Sequence, residues 1–353
     1  MARPNLFGLE EGAIAGVLHE LGEPAYRSRQ VYSWLYAKRA RSLADMTNLG
    51  KGLRARLEEA FALRWPEVVE SRLSTDGTRK YLFGLEGGAT IESVFIPEET
   101  RRTICISTQA GCPLKCAFCL TGLGGYKRNL RAGEILGQVA VVMEDAPRET
   151  TPWNVVIMGM GEPLLNYEAT VSALRVLMDP EGFAISPRKL TLSTVGILPA
   201  LERLMQEPVR PNLAISLHAP NAALRRALMP IEERYPLGDV IEAAKRYPIP
   251  SGGLVTYEYV LLRGVNDTEG HARELARLLR SSRCKVNLIP LNPAPEIPFE
   301  APRPEAVDAF GRILAAADVT VSVRRPRGQD ILAACGQLHL KRAPSAATVA
   351  PAP

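Results

Sequence analysis

The sequence predicts an α/β protein: a partial (βα)6, TIM-like barrel with a small N-terminal α+β accessory domain and a disordered C-terminal tail. Three observations predict it. β-branched apolar runs alternate with amphipathic helical patterns through most of the chain. The runs are apolar almost throughout, as strands buried on both faces of a parallel sheet are. The polar residues that interrupt them gather at their carboxyl ends, where such folds assemble sites.

The elements follow in order. "GAIAGVLHELG", "RSRQVYSWLYAK" and "NLGKGLRARLEEAFAL" repeat apolar residues at three- and four-residue spacing and read as helices. A β region comes next: "VVESRLS", the turn "TDGT", "KYLFGL", the turn "EGG", then "TIESVFIP". Residues 1–97 are therefore one α+β domain. Over 98–340, strands at "TICIST", "WNVVIMG", "KLTLST", "NLAISLH", "LVTYEYVLL" and "KVNLIPL" are separated by helices such as "AGEILGQVAVVMED" and "EGHARELARLLRS". A last helix, "PEAVDAFGRILAAA", leads into "VTVSVRR". Residues 341–353, "KRAPSAATVAPAP", have too little apolar bulk to fold and are expected to be disordered.

With 46% apolar and 23% charged residues, the composition is that of a globular protein. The opening "MARPNLFGLEEG" lacks the apolar run of a signal peptide, and no apolar stretch is long enough to span a bilayer. A reducing cytoplasm is the expected location, and there clustered thiols more often hold metal or do redox chemistry than form structural disulfides. Arg101 to Gly133 holds six basic residues and no acidic one. Arg27 to Arg41 holds five, interleaved with Tyr32, Trp34 and Tyr36. A single such stretch is ordinarily a solvated helix face with its aromatics in a core. Two of them, one wrapped around the thiols, favour a polyanion partner.

"CISTQAGCPLKCAFC" puts four of six cysteines into fifteen residues. Cys112, Cys116 and Cys119 are spaced C-x3-C-x2-C, and Cys105 stands seven residues upstream. Structural zinc usually takes four ligands in two knuckles, and no second knuckle exists. A cubane iron–sulfur cluster usually takes four thiolates, so three leave one iron open to a cofactor or substrate. Three buried core cysteines are the alternative, but a loop with Gly111 and Pro113 is a poor place for a core. Gly161 and Glu162, Ser193, Ser216 and His218, and Asn292 close other strands. Singly, Ser193 reads as a helix cap, Asn292 as a turn residue and His218 as a satisfied buried imidazole. Their shared edge makes them a candidate rim.

C-x3-C-x2-C after the first barrel strand, with "GMGEP" after the second, resembles the radical S-adenosylmethionine superfamily. "MTNLGKGLRARL", "DGTRKYLF", "ESVFIP", "TGLGGYKRNL", "MGMGEPLLN", "STVGILPAL", "SLHAPN" and "RRPRGQDILAACGQL" narrow the resemblance to RNA adenine-C2 methyltransferases of the RlmN type, from about Arg27 to Leu340. The resemblance implies a [4Fe–4S] cluster on Cys112, Cys116 and Cys119. It implies cofactor contacts at Gly161, Glu162, Ser193, Ser216, Leu217, His218 and Asn292, with two S-adenosylmethionine molecules per turnover. The first methylates Cys335. The second is cleaved to a radical that takes a hydrogen from that methyl group, and the resulting carbon radical adds to adenine C2. Glu92 matches the proposed proton acceptor, and Cys105 would release the product through a transient disulfide with Cys335.

The implied substrates are 23S ribosomal RNA and some transfer RNAs, with a flavodoxin-type or other one-electron reductant, no membrane and a monomeric chain. One rival is the sister activity on C8 of the same ribosomal adenine; another is a non-catalytic iron–sulfur RNA-binding protein, which would not need both Cys105 and Cys335. Taken alone, Cys335 also reads as a small buried residue and Glu92 as a solvated strand residue. Cys284 has no role in the scheme and is expected in the core.

Overall fold

The computed structural model describes residues 3–339 apart from 148 and 251, so the expected tail lies outside the described residues. Twelve strands form: β1 Glu67–Leu73, β2 Arg79–Gly84, β3 Thr90–Glu98, β4 Arg101–Cys105, β5 Gln109–Gly111, β6 Tyr126–Asn129, β7 Trp153–Ile157, β8 Leu190–Thr194, β9 Asn212–Ser216, β10 Val255–Leu261, β11 Cys284–Pro290 and β12 Thr320–Val323. Ten join one sheet in the order β1-β2-β3-β4-β7-β8-β9-β10-β11-β12, while β5 and β6 pair apart. From β4 to β12 every neighbour is parallel.

The six expected barrel strands are present, and the short β12 extends them in parallel beyond β11. Leu192, Leu213, Tyr257 and Leu288 are fully buried on these strands, with helices such as Ala132–Asp145 and Glu269–Leu279 packed outside. The β region read as part of the N-terminal domain is hydrogen-bonded to the barrel. β3 pairs antiparallel with β4 from Val94↔Cys105 to Glu98↔Arg101, a hairpin turned by two residues. Neither β1 nor β12 pairs with the other, so the barrel stays open on that side.

The N-terminal helices Glu11–Glu20, Tyr26–Tyr36 and Lys51–Ala60 lie where the periodicity puts them. In Tyr26–Tyr36 the buried positions are Ser28, Val31, Tyr32, Leu35 and Tyr36, one face at helical spacing. Tyr32 therefore donates to Asp179 Oδ2 at 3.0 Å and Tyr36 to the Leu9 carbonyl at 2.7 Å. The ordinary reading, aromatics in a core, thus holds for two of the three, and Trp34 is only partly exposed. Among the described residues no helix is long and apolar enough to cross a membrane.

Candidate active site

The thiol loop leaves the barrel after β4 and is fixed from three sides. The Cys112 amide donates to the Gly125 carbonyl at 2.9 Å, that of Ala117 to Leu228 at 3.0 Å, and that of Leu120 to Gly336 at 2.9 Å. Cys119 stands at the N-cap position of the short helix Leu120–Leu123, its thiol left free of any capping bond. A Cβ at Gly122 in that helix would stand 3.0 Å from the Cys116 amide nitrogen, so glycine lets the helix close on the loop. Cys112, Cys116 and Cys119 line one cavity of about 170 Å³. Among the described residues no three His, Cys, Asp or Glu side chains are poised to hold a metal ion. A cubane does not require it, because its thiolates bind different irons and stand around the cluster. Burial foremost, with a smaller contribution from Cys119 and against the Leu114 amide, pushes the Cys112 thiol up to about 12. Burial also raises the Cys116 thiol, and buried thiols whose anions are disfavoured fit a site whose iron would stabilise them.

The rim converges on the same cavity. Gly161, Glu162, Ser193, Ser216, His218 and Asn292 all line it. Gly161 has φ +103°, and a Cβ there would fall 2.5 Å from Cβ of Gln109; glycine is what brings the β7 turn against the thiol loop. Glu162 is oriented on both oxygens: Oε1 accepts from Thr194 Oγ1 at 2.6 Å and the Leu164 amide at 3.0 Å, and Oε2 from the Val195 amide at 3.0 Å. Burial nonetheless raises its carboxyl to about 7. His218 accepts the Val260 amide on Nδ1 at 3.0 Å and meets Phe118 edge-on, 4.8 Å between ring centres. Ser193 and Ser216 hydroxyls stand 3.5 Å apart. Leu217 differs: its side chain is fully buried away from the cavity, and its amide donates to the Glu258 carbonyl at 3.0 Å.

Cys335 lies in the segment after β12, which crosses the barrel mouth. Asp330 in that segment accepts from Ser74 Oγ at 2.6 Å and the Thr75 amide at 3.1 Å, and the Gly328 amide reaches Asp76 Oδ2 at 3.0 Å. Thr121 Oγ1 donates to the Leu338 carbonyl. Cys335 thereby lines the thiol cavity and also an adjoining one that contains Cys105. Burial and the nearness of Cys335 push the Cys105 thiol up to about 12, and Arg324 opposes the shift. Arg324, just past β12, lines both cavities and has no carboxylate within 4.0 Å among the described residues. The neighbouring Cys335, then Glu258, favour the charged form of its guanidinium and raise it above the ordinary value.

Glu92 is placed elsewhere than its solvated reading suggested. It is 1% exposed, ion-paired to Lys80 at 3.1 Å, accepts the His339 amide at 3.1 Å, and lines neither cavity. Cys284 is buried at the start of β11, as expected of a core residue. Three participants escaped sequence reading: Thr194, Glu258 and Arg324. Glu258 left the clearest signal, a carboxylate inside the apolar strand "VTYEYVLL". It lines the cavity and accepts from Asn287 Nδ2 at 2.8 Å.

Comparison with known proteins finds matches over nearly all of the chain. The Radical SAM superfamily profile matches residues 106–276, and the Ribosomal RNA large subunit methyltransferase N-terminal domain matches 4–63. The Dual-specificity RNA methyltransferase RlmN of Marinomonas sp. is 45% identical over 95% of this chain and 92% of its own length. That of Syntrophus aciditrophicus is 44% identical over 97% and 98%. The crystal structure of a radical SAM methyltransferase from Sphaerobacter thermophilus superposes with a TM-score of 0.89 at 45% identity, covering 96% of this chain and 99% of that one.

Proposed function

The chain belongs to the RlmN family of dual-specificity RNA methyltransferases, and from that premise we propose that it methylates C2 of adenine in RNA. The substrates are 23S ribosomal RNA at the peptidyl transferase centre and the adenine 3′ of the anticodon in some transfer RNAs. As a radical S-adenosylmethionine protein it uses a [4Fe–4S] cluster and that cofactor.

Cys112, Cys116 and Cys119 are the ligands we assign to the cluster, with Gly161, Glu162, Ser193, Ser216, His218, Asn292 and the backbone at Leu217 around the cofactor. Together the bound groups supply a carbon radical, which adenine C2 requires because it is not nucleophilic. Cys335 carries the methyl carbon to the base, and Cys105 attacks Sγ of Cys335 to release the product, leaving a disulfide that a reductant resets. Glu92 is the assigned proton acceptor. Its oxygens hold Lys80 and the His339 amide, so that role requires the final segment to lift.

One observation carries this reading. Cys105 and Cys335, 230 positions apart, line one cavity, and Cys335 also lines the cavity of the three thiols. A non-catalytic cluster protein has no use for that pair. Residues 1–97 serve RNA docking, a flavodoxin-type or other one-electron reductant supplies electrons, and the enzyme works as a monomer in the cytoplasm. Mass spectrometry of ribosomal RNA from cells with and without the gene tests the proposal. Loss of 2-methyladenosine supports it; an unchanged pattern, or loss of 8-methyladenosine instead, overturns it.

A further inference from the structure

Lys80 on β2 and Glu92 on β3 form an ion pair with both side chains at most 3% exposed. Such a pair is a poor source of stability, since desolvating two charges offsets most of their attraction and an apolar pair would serve as well. Its position suggests another purpose. In the β2–β3 register Lys80 faces Val94 and Glu92 faces Leu82, so the two side chains are diagonal neighbours. Each also reaches the segment that crosses the barrel mouth. Lys80 Nζ donates to the Leu332 carbonyl at 3.0 Å, and Glu92 Oε2 accepts the His339 amide at 3.1 Å.

Cys335 lies between those two points, three residues after one and four before the other. The pair thus spans the base of a loop whose tip bears the reactive sulfur. Within the loop, Gln337 accepts the Ala334 amide at 3.3 Å and donates to the Pro293 carbonyl at 2.9 Å. These bonds shape the tip, and Leu120, Thr121 and Asn292 hold Gly336, Leu338 and Cys335 from the barrel side, while the ion pair spans the loop's two ends. Both charges sit on adjacent strands of the sheet, a stiffer base than a loop offers.

We propose that Lys80 and Glu92 are positioning residues for Cys335: their buried ion pair clasps the base of segment 332–339 and sets where the Cys335 sulfur stands in the cavity. This rests on the reading of Cys335 as the methyl carrier. It also separates two roles for Glu92 by stage. A proton acceptor acts after the base has been attached to the protein, whereas a clasp acts before any RNA is present.

The test uses the full chain, reconstituted anaerobically, without RNA. Two quantities are followed by peptide mass: the rate at which iodoacetamide alkylates Cys335, and the S-methyl-Cys335 formed on adding S-adenosylmethionine. Lys80→Met leaves a lone buried charge, so the Lys80→Met/Glu92→Gln double variant, which leaves none, accompanies it. His339→Pro removes the amide donor, with His339→Ala as the control for loss of the imidazole near the Gln337 carbonyl, and Lys80→Arg keeps the charge. We expect alkylation of Cys335 to rise by about tenfold in the first three, the change that loss of one charge-assisted bond brings. Buried Cys284 should stay protected, reporting an intact fold. S-methylation should fall in step, and Lys80→Arg should recover both. Unchanged alkylation and S-methylation in the double variant and in His339→Pro would overturn the clasp. Absence of S-methyl-Cys335 in the wild type would instead overturn the methyl-carrier reading, leaving the clasp to be judged on alkylation alone.

Discussion

Asn292 donates its side-chain amide to the backbone carbonyl of Cys335 across 3.4 Å, and Gln329 donates to Asn292 Oδ1 at 3.2 Å. Residues from the end of β11 and from the final segment are thus stitched together over the mouth of the barrel. The stitching brings a residue near the C-terminal end of the described chain beside the thiol loop that follows β4.

That arrangement makes the two outlying cysteines fail differently. Cys335→Ala should abolish both S-methylation and RNA attachment. Cys105→Ala should leave S-methylation intact and accumulate a covalent protein–RNA adduct through Cys335, visible as a mobility shift removed by ribonuclease. A Cys105→Ala protein free of RNA with full turnover would end the resolving role.

Cys112→Ala, Cys116→Ala and Cys119→Ala should each yield a colourless protein after anaerobic reconstitution, with no cleavage of S-adenosylmethionine. Iron and sulfide analysis checks this. Stoichiometric zinc without iron in the wild type contradicts the cluster.

Arg324 faces two thiols whose anions burial disfavours. Arg324→Met should slow formation of the Cys105–Cys335 disulfide by oxidised glutathione about tenfold, one pKa unit of thiolate population. Arg324→Lys should keep most of the rate. Peptide mapping after timed quenching reads both, and equal rates in Arg324→Met would remove the guanidinium from this chemistry.

His218 gives the fold a pH dependence of definite sign. Burial, and then Arg225, lowers its imidazole from 6.5 to about 3. The unfolded chain therefore binds the extra proton first, and stability present above pH 6.5 is lost as pH falls toward 3. At pH 5 the loss is about 2 kcal/mol. Urea midpoints at pH 7 and pH 5 should converge in His218→Asn, whose Oδ1 can still accept the Val260 amide.

The basic stretches are not uniform. Arg41 pairs with Glu144 and Arg29 with Glu11, while Lys38 and Arg39 have no ion pair among the described residues. Lys38 lies 3.8 Å over the Trp34 ring at the surface. Lys38→Ala/Arg39→Ala should flatten the slope of log affinity against log salt by about 1 to 2, with little change from Arg41→Ala. An unchanged slope would move the docking face elsewhere.

The strand ends were legible because side chains at the carboxyl edge of a parallel sheet share one opening, so a pattern of strands already groups Glu162, Ser193, Ser216, His218 and Asn292. Glu92 was legible as a motif but not as a partner of Lys80, because a diagonal cross-strand contact depends on hairpin register. Tyr32 and Tyr36 were legible as core residues, since a helix sorts residues onto faces by spacing and both fall on the buried one. The join of β3 to β4 was hidden by a two-residue turn at the place where the strand and helix pattern changes.

The segment that caps the barrel fastens onto residues made about 250 positions earlier: Asp330 on Ser74, Gly328 on Asp76. Chains leave the ribosome N-terminus first. Of the pieces that build this site, residues 328–339 are translated last, and Cys335, the proposed methyl carrier, is among them. A growing chain that has not reached residue 328 lacks Cys335 and the segment that covers the cavity. Under that assignment, competence comes in one late step, when the last segment closes over a sheet that is already complete.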